Sequence, residues 1–165
     1  MMDINSNKGM YLEELVNRTS QYYDAYNLGL IEKRQIPTRV IKKLSLQTAI
    51  VKLLAKAKVD YFVYINNQYF EVECKQTSKT YFDLNLIMKH QHDYLKKLTF
   101  LNIASYILIY FSTYDKVYAI SYSKLLKVIE QKKISKKINF ISIKNNGIEI
   151  PIIYPGILDF KKMIK

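Results

Sequence analysis

The chain has 165 residues, 49% of them hydrophobic, with 26 Lys and Arg against 14 Asp and Glu, a formal charge of +12 and a pI near 9.6. That length and apolar content support one domain, residues 1–165, with a real core, and exclude a disordered chain. The charge points to a polyanionic partner, nucleic acid first and an anionic membrane surface second. The single cysteine, Cys74, excludes an intramolecular disulfide and suits a reducing cytoplasm. The N-terminus lacks the apolar stretch of a signal peptide, and the longest apolar run, residues 104–111, is too short to span a bilayer.

Residues 1–7 are polar, and Asn5, Ser6 or Asn7 is placed to cap a helix over about residues 9–26. Leu12, Leu15, Val16, Thr19, Tyr23 and Tyr26 recur on one face of that helix. Glu13 and Glu14 flank the stripe, so either can look into a cleft, or both are first-turn charges favoured by the helix dipole. Arg18 is placed to touch phosphate. Residues 28–33 read as a strand, with Gly29 ending the preceding helix. Residues 31–58 then hold eight Lys or Arg and one acid, Glu32. Pro37 and the β-branched Thr38, Val40 and Ile41 make 33–43 extended. Residues 48–58 are rich in helix formers, and helical spacing collects Lys52 and Lys56 on one side. A basic arm for DNA over 34–58 and a surface amphipathic element both fit this segment. The DNA reading assigns phosphate contacts to Arg34, Arg39, Lys42, Lys43, Lys52 and Lys56.

The stretch 59–75 reads as two strands joined at Asn66-Asn67, since Asn tolerates the positive φ that a two-residue type I′ turn needs twice. With that turn, Ile65 faces Gln68 and Asp60 lies opposite Glu73. Alternation puts Glu71, Glu73 and Lys75 on one face, and Phe70, Val72 and Cys74 on the other. Carboxylates on neighbouring strands repel, so something positive must compensate. Lys75 and a divalent cation are the candidates; two converging carboxylates suit Mg²⁺ or Mn²⁺, which prefer oxygen ligands. A solvated outer face of an edge hairpin accounts for the same charges. Asp60 followed by Glu73-Cys74-Lys75 across a hairpin is the spacing of the PD-(D/E)XK nuclease core, with Val59 in place of the Pro.

Residues 76–81 read as a polar loop and 83–98 as a helix, with Gln91 on its core-facing side among Leu84, Ile87, Met88, Tyr94, Leu95 and Leu98. Adjacent residues point about 100° apart on a helix, so His90 and His92 face different ways, and the chain has no other His, which argues against a structural zinc site. Residues 103–111 read as a central strand buried on both faces. A strand over 116–121, a helix over 124–131 capped by Ser123, a basic loop holding Lys132-Lys133 and Lys136-Lys137, and a weak strand over 138–143 follow. Asn145-Asn146-Gly147 is a turn, 151–155 reads as irregular, and an amphipathic piece from Ile157 ends the chain.

This order of elements resembles that of the α/β PD-(D/E)XK restriction-endonuclease-like fold, which implies a mixed central sheet flanked by helices with a protruding basic stalk. The resemblance is closer than fold level. Asn7-Lys-Gly-Met-Tyr-Leu-Glu-Glu-Leu-Val-Asn-Arg-Thr-Ser-Gln-Tyr-Tyr23 and Ile31-Glu-Lys-Arg-Gln-Ile-Pro-Thr38 resemble the N-terminal motifs of the RecU-type Holliday junction resolvases of bacteria. Val59-Asp-Tyr through Glu73-Cys-Lys75 keeps that family's hairpin without a gap, and His90-Gln91 falls at its His-Gln pair. The resemblance covers most of the chain, most strongly 7–38, 59–77 and 86–121.

It implies that Asp60, Glu73 and Gln91 bind Mg²⁺, with Mn²⁺ as a substitute, and that Lys75 acts beside them. Glu13, Glu71 and Lys58 are outer-shell candidates. A further family ligand, a Thr two residues before the Asp, is Lys58 here, which the register places facing Lys75 unless it points out along the arm. Segment 34–58 corresponds to the family's stalk. The implied activity is metal-dependent hydrolysis that cleaves four-way DNA junctions in recombination and repair, by a homodimer in the cytoplasm, alongside a recombinase partner and without a membrane. The competing readings are a non-catalytic junction-binding protein that modulates recombination, and another PD-(D/E)XK repair or restriction-like nuclease.

Overall fold

The computed structural model describes residues 10–131 and 136–164, so the expected cap among residues 5–7 and the pair Lys132-Lys133 lie outside the described residues. Helix α1 (Met10–Ala25) leads into β1 (Leu30–Lys33). Then come β2 (Thr38–Lys43), β3 (Ala49–Leu53), β4 (Tyr61–Ile65), β5 (Gln68–Thr77) and β6 (Tyr81–Asp83). Helix α2 (Lys89–Phe100) precedes β7 (Ala104–Phe111) and β8 (Lys116–Ser121), and α3 (Tyr122–Gln131) precedes β9 (Lys137–Asn139). Helix α4 (Phe140–Asn146) and the short strands β10 (Ile148–Ile150), β11 (Ile152–Ile153) and β12 (Ile157–Leu158) complete the order.

Six strands form the central sheet in the order β1-β4-β5-β7-β8-β10. Only the β5–β7 pair is parallel, and α2 makes the crossover between those strands. The fold is therefore α/β with a mixed sheet flanked by helices. One face packs α1 (Leu12, Leu15, Val16, Tyr23) and the C-terminal Leu158, Phe160 and Met163 against Phe70, Val72, Cys74 and Leu108. The opposite face packs α2, α3 and α4 (Leu95, Leu125, Ile143) against Ile107, Ile109 and Phe111. β7 feeds both cores alternately, as expected for a strand buried on both sides. Among the described residues no helix is long and apolar enough to cross a membrane.

Asn66 and Asn67 have φ of 47° and 61°, and the ladder runs Ile65 opposite Gln68 to Tyr61 opposite Val72. The expected register is the observed one. Elsewhere local propensity lost to tertiary pairing. Residues 48–58 contain β3 and no helix, because Ala49–Leu53 pairs antiparallel with β2. Every residue of both strands is exposed, so the two strands are held by their mutual ladder and not by packing on the core. The helix expected from residue 83 starts at Lys89. Asp83 caps a single 3-10 turn through Asn85 N–H, after which Ile87 and Met88 are extended. The weak strand expected over 138–143 divides, with β9 pairing with β6 and Asn139 capping α4 through Ser142 N–H. Ser121, not Ser123, accepts from Lys124 N–H at the start of α3. Residues 151–155 hold β11 and a cis Tyr154-Pro155 bond before β12.

The turn yields a stability prediction. Asn67→Val forces a β-branched residue into the left-handed region and costs about 1–2 kcal/mol. Asn67→Gly costs nothing or stabilises. Urea midpoints of the two variants check this, and equal midpoints would show that the turn conformation is not what holds the register.

Candidate active site

Asp60 is the last residue before β4. Its carboxylate reaches across to β5 and accepts the Cys74 N–H at 2.8 Å, which holds it beside Glu73. Glu73 is fully buried. Its Oε1 takes the Lys75 ammonium at 2.5 Å and the Gln91 amide at 2.5 Å. The Gln91 carbonyl in turn accepts from Lys75 at 3.3 Å and from Met88 N–H at 2.9 Å, so Gln91 spans Glu73 and Lys75 while capping its own helix. Glu73 Oε2 is buried with no hydrogen-bond partner among the described residues. These groups line a cleft of about 360 Å³ closed by Leu12, Glu13, Gln76 and Leu86. The four residues named from sequence for the reaction and its metal, Asp60, Glu73, Lys75 and Gln91, thus meet in one place.

Burial first, and the neighbouring Asp60 carboxylate second, push the Glu73 carboxyl up to about 7 against the opposing pull of Lys75. Burial also raises Asp60, held back by the Cys74 N–H and Lys75. Burial lifts the Cys74 thiol well above its usual range, which removes it as a nucleophile.

The outer candidates separate. Glu13 lines the cleft and pairs with Lys33 at 2.6 Å, whereas Glu14 pairs with Arg18 on an exposed face. Arg18 also donates to the Pro155 carbonyl at 2.8 Å. Lys58 is exposed and outside the ladder. Its ammonium sits 5.1 Å over the Tyr94 ring, so it follows the outward alternative rather than facing Lys75. Glu71 belongs to a separate cluster. Its Oε1 accepts from Arg34 at 2.6 Å, Tyr69 at 2.7 Å and Tyr94 at 2.9 Å. Sequence reasoning did not assemble that cluster, because its members lie on β5, α2 and the chain after β1, and no spacing rule joins positions so far apart.

The Arg34 guanidinium is therefore held by Glu71 rather than free. Arg39, Lys42, Lys43 and Lys52 project from the exposed β2–β3 hairpin, with Arg39 directly opposite Lys52, and exposed Lys56 follows β3. His90 contacts the Ala57 carbonyl and His92 the Tyr122 hydroxyl, so the two rings have separate partners.

The family described as RecU, Recombination protein U, matches residues 7–165. The chain belongs to the RecU family. It is similar to the Holliday junction resolvase RecU of Ureaplasma parvum, 31% identical over 160 residues that cover 97% of this chain and 93% of that protein. The Holliday junction resolvase RecU of Mycoplasmopsis pulmonis is 30% identical over 162 residues, covering 98% and 96%. That of Staphylococcus epidermidis is 28% identical over 167 residues, covering 95% and 79%.

A carboxyl whose pKa is higher folded than unfolded takes up a proton on folding. For Glu73 that contribution is full below about 4.5 and is lost as pH rises through about 7. The urea midpoint of the metal-free protein is expected to fall between about pH 5 and pH 8, with Glu73→Gln flattening the slope. An unchanged slope in the variant would remove Glu73 as its source.

Proposed function

We propose that this RecU-family chain is a metal-dependent endonuclease of PD-(D/E)XK type that cleaves four-way DNA junctions in recombination and repair. The convergence of Asp60, Glu73, Lys75 and Gln91 in one cleft carries the reading. Curated relatives named Holliday junction resolvase support the substrate.

The donor set fits a hard divalent cation. Asp60 and Glu73 would supply carboxylate oxygens, Glu73 through its buried Oε2 that has no hydrogen-bond partner among the described residues, and Gln91 would supply its amide oxygen once released from Lys75. Asp60, Glu73 and Gln91 would hold Mg²⁺, with Mn²⁺ as a substitute, and the ion would supply Lewis acidity there. The chain's own groups do the rest. Lys75, half-held by Glu73 and Gln91, stabilises the negative charge that builds on the phosphate oxygens as water adds to phosphorus and a bridging oxygen leaves. The Cys74 N–H fixes the angle of the Asp60 carboxylate. Glu13, on the cleft wall, stays in the outer shell and holds Lys33.

Residues 1–165 form a single nuclease domain, in which segment 34–58 is a basic stalk entering the junction. Arg39, Lys42, Lys43, Lys52 and Lys56 neutralise phosphates there, with Arg34 at its base. A two-fold homodimer sets two such sites at opposite strand polarity, matching the junction's symmetry. The setting is the cytoplasm, alongside a recombinase and with no membrane.

Asp60→Asn or Glu73→Gln abolishes nicking of a synthetic four-way junction in Mg²⁺ while junction binding remains. Lys75→Ala lowers the rate by about 10²–10³. Tight, metal-indifferent binding with no nicking by the wild type would make the protein a non-catalytic binder. Equal cutting of linear duplex would make it a repair or restriction-like nuclease. Arg39→Ala and Lys52→Ala should each weaken junction binding and reduce the salt slope by about 1, read from affinities across a salt series.

A further inference from the structure

The β2–β3 hairpin is exposed along its whole length, so packing does not set its direction. Its root is held by named contacts. The outgoing chain is tied at Arg34, whose N–H donates to the Asp60 carbonyl at 2.7 Å and whose guanidinium reaches Glu71 and the Tyr69 hydroxyl at 2.6 and 2.7 Å. That guanidinium also lies 4.9 Å over the Phe62 ring. The returning chain is tied by α2, through His90 to the Ala57 carbonyl at 3.1 Å and through the Tyr94 ring under Lys58. Tyr94 closes the cluster by donating to Glu71 at 2.9 Å.

Two elements thus serve both root and cleft. β5 carries Glu71 at the root and Glu73 in the cleft, two residues apart on one face. α2 carries His90 and Tyr94 at the root and Gln91 in the cleft. Glu71 is the centre of the root. Its side chain is 4% exposed, and its second oxygen is buried without a hydrogen-bond partner among the described residues. A buried carboxylate in that condition is a poor stabiliser: its desolvation is offset only in part, and apolar residues of similar volume would serve stability as well or better. What it provides is direction, since a charged acceptor receiving Arg34, Tyr69 and Tyr94 holds all three in one geometry.

From these contacts we infer that Glu71 is a positioning residue that sets the angle of the 34–58 hairpin against the Asp60–Glu73 cleft, and so sets the preference for branched over linear DNA. This rests on the junction-nuclease reading above. The lever is long. At about 3.3 Å per residue the tip near Leu46 lies about 30 Å from the root, and a swing of about 10° there displaces it by about 5 Å. Linear duplex binding tolerates that displacement. A junction, whose arms must meet hairpin and cleft together, does not.

The test uses the full-length protein with spin labels at Leu46→Cys and Lys127→Cys, diluted with unlabelled protein. Both positions are exposed and the one native cysteine is buried. Glu71→Gln and the milder Tyr94→Phe, which keeps the ring beneath Lys58, are compared with wild type. The expected result is a broadened tip-to-body distance distribution in each variant. The ratio of junction to duplex affinity, measured without divalent metal, should fall about tenfold in Glu71→Gln and less in Tyr94→Phe. Distances and affinity ratio both unchanged in folded variants, or a loss of stability with neither altered, would overturn the inference. If Glu71→Gln does not fold, Tyr94→Phe decides alone. If the wild type itself binds junction no better than duplex, the functional reading fails, and the distance distributions still judge whether Glu71 sets the hairpin's angle.

Discussion

The antiparallel pairing of β4 with β5 in one register is the constraint on which the site depends. Side chains alternate with a period of two, so a slip of one residue would carry Glu71, Glu73 and Lys75 into the core under α1 and turn Phe70, Val72 and Cys74 toward the cleft. Asn66 and Asn67 at positive φ hold the register at one end. The Asp60 carboxylate on the Cys74 N–H holds it at the other, after the ladder itself has ended. The contact that closes the register also delivers the second carboxylate.

A consequence is electrostatic. Two carboxyls share a buried spot where, among the described residues, Lys75 is the cation in contact with Glu73 and one Glu73 oxygen has no hydrogen-bond partner. Burial first and the Asp60 carboxyl second outweigh that one cation, which is why Glu73 holds its proton to about 7. Two buried carboxyls against one ammonium cost stability above the range where Glu73 keeps its proton.

The sheet's two faces divide the labour. α1 and the C-terminal segment cover one face with an apolar core. On the other, α2 starts late, after an extended Ile87 and Met88, and this delay lets Gln91 cap the helix from inside the cleft while also reaching Glu73. The same helix steadies the hairpin's return through His90 and Tyr94.

Much of this was legible in residue order. The type I′ turn at Asn66-Asn67, the alternation that separates Glu71, Glu73 and Lys75 from the core face, the buried run of β7 and the core-facing Gln91 all follow from local periodicities, and these need only neighbours in sequence. The motifs in 7–38 and 59–75 carried the family. Contacts made across distance decided the rest. Ala49–Leu53 became a strand because β2 offered it a ladder. Lys58 turned to Tyr94, Glu13 rather than Glu14 reached the cleft, and Arg34 was drawn onto Glu71. In each case the deciding partner lies on another element, where burial and charge pairing act through space, and no period along the chain records that proximity.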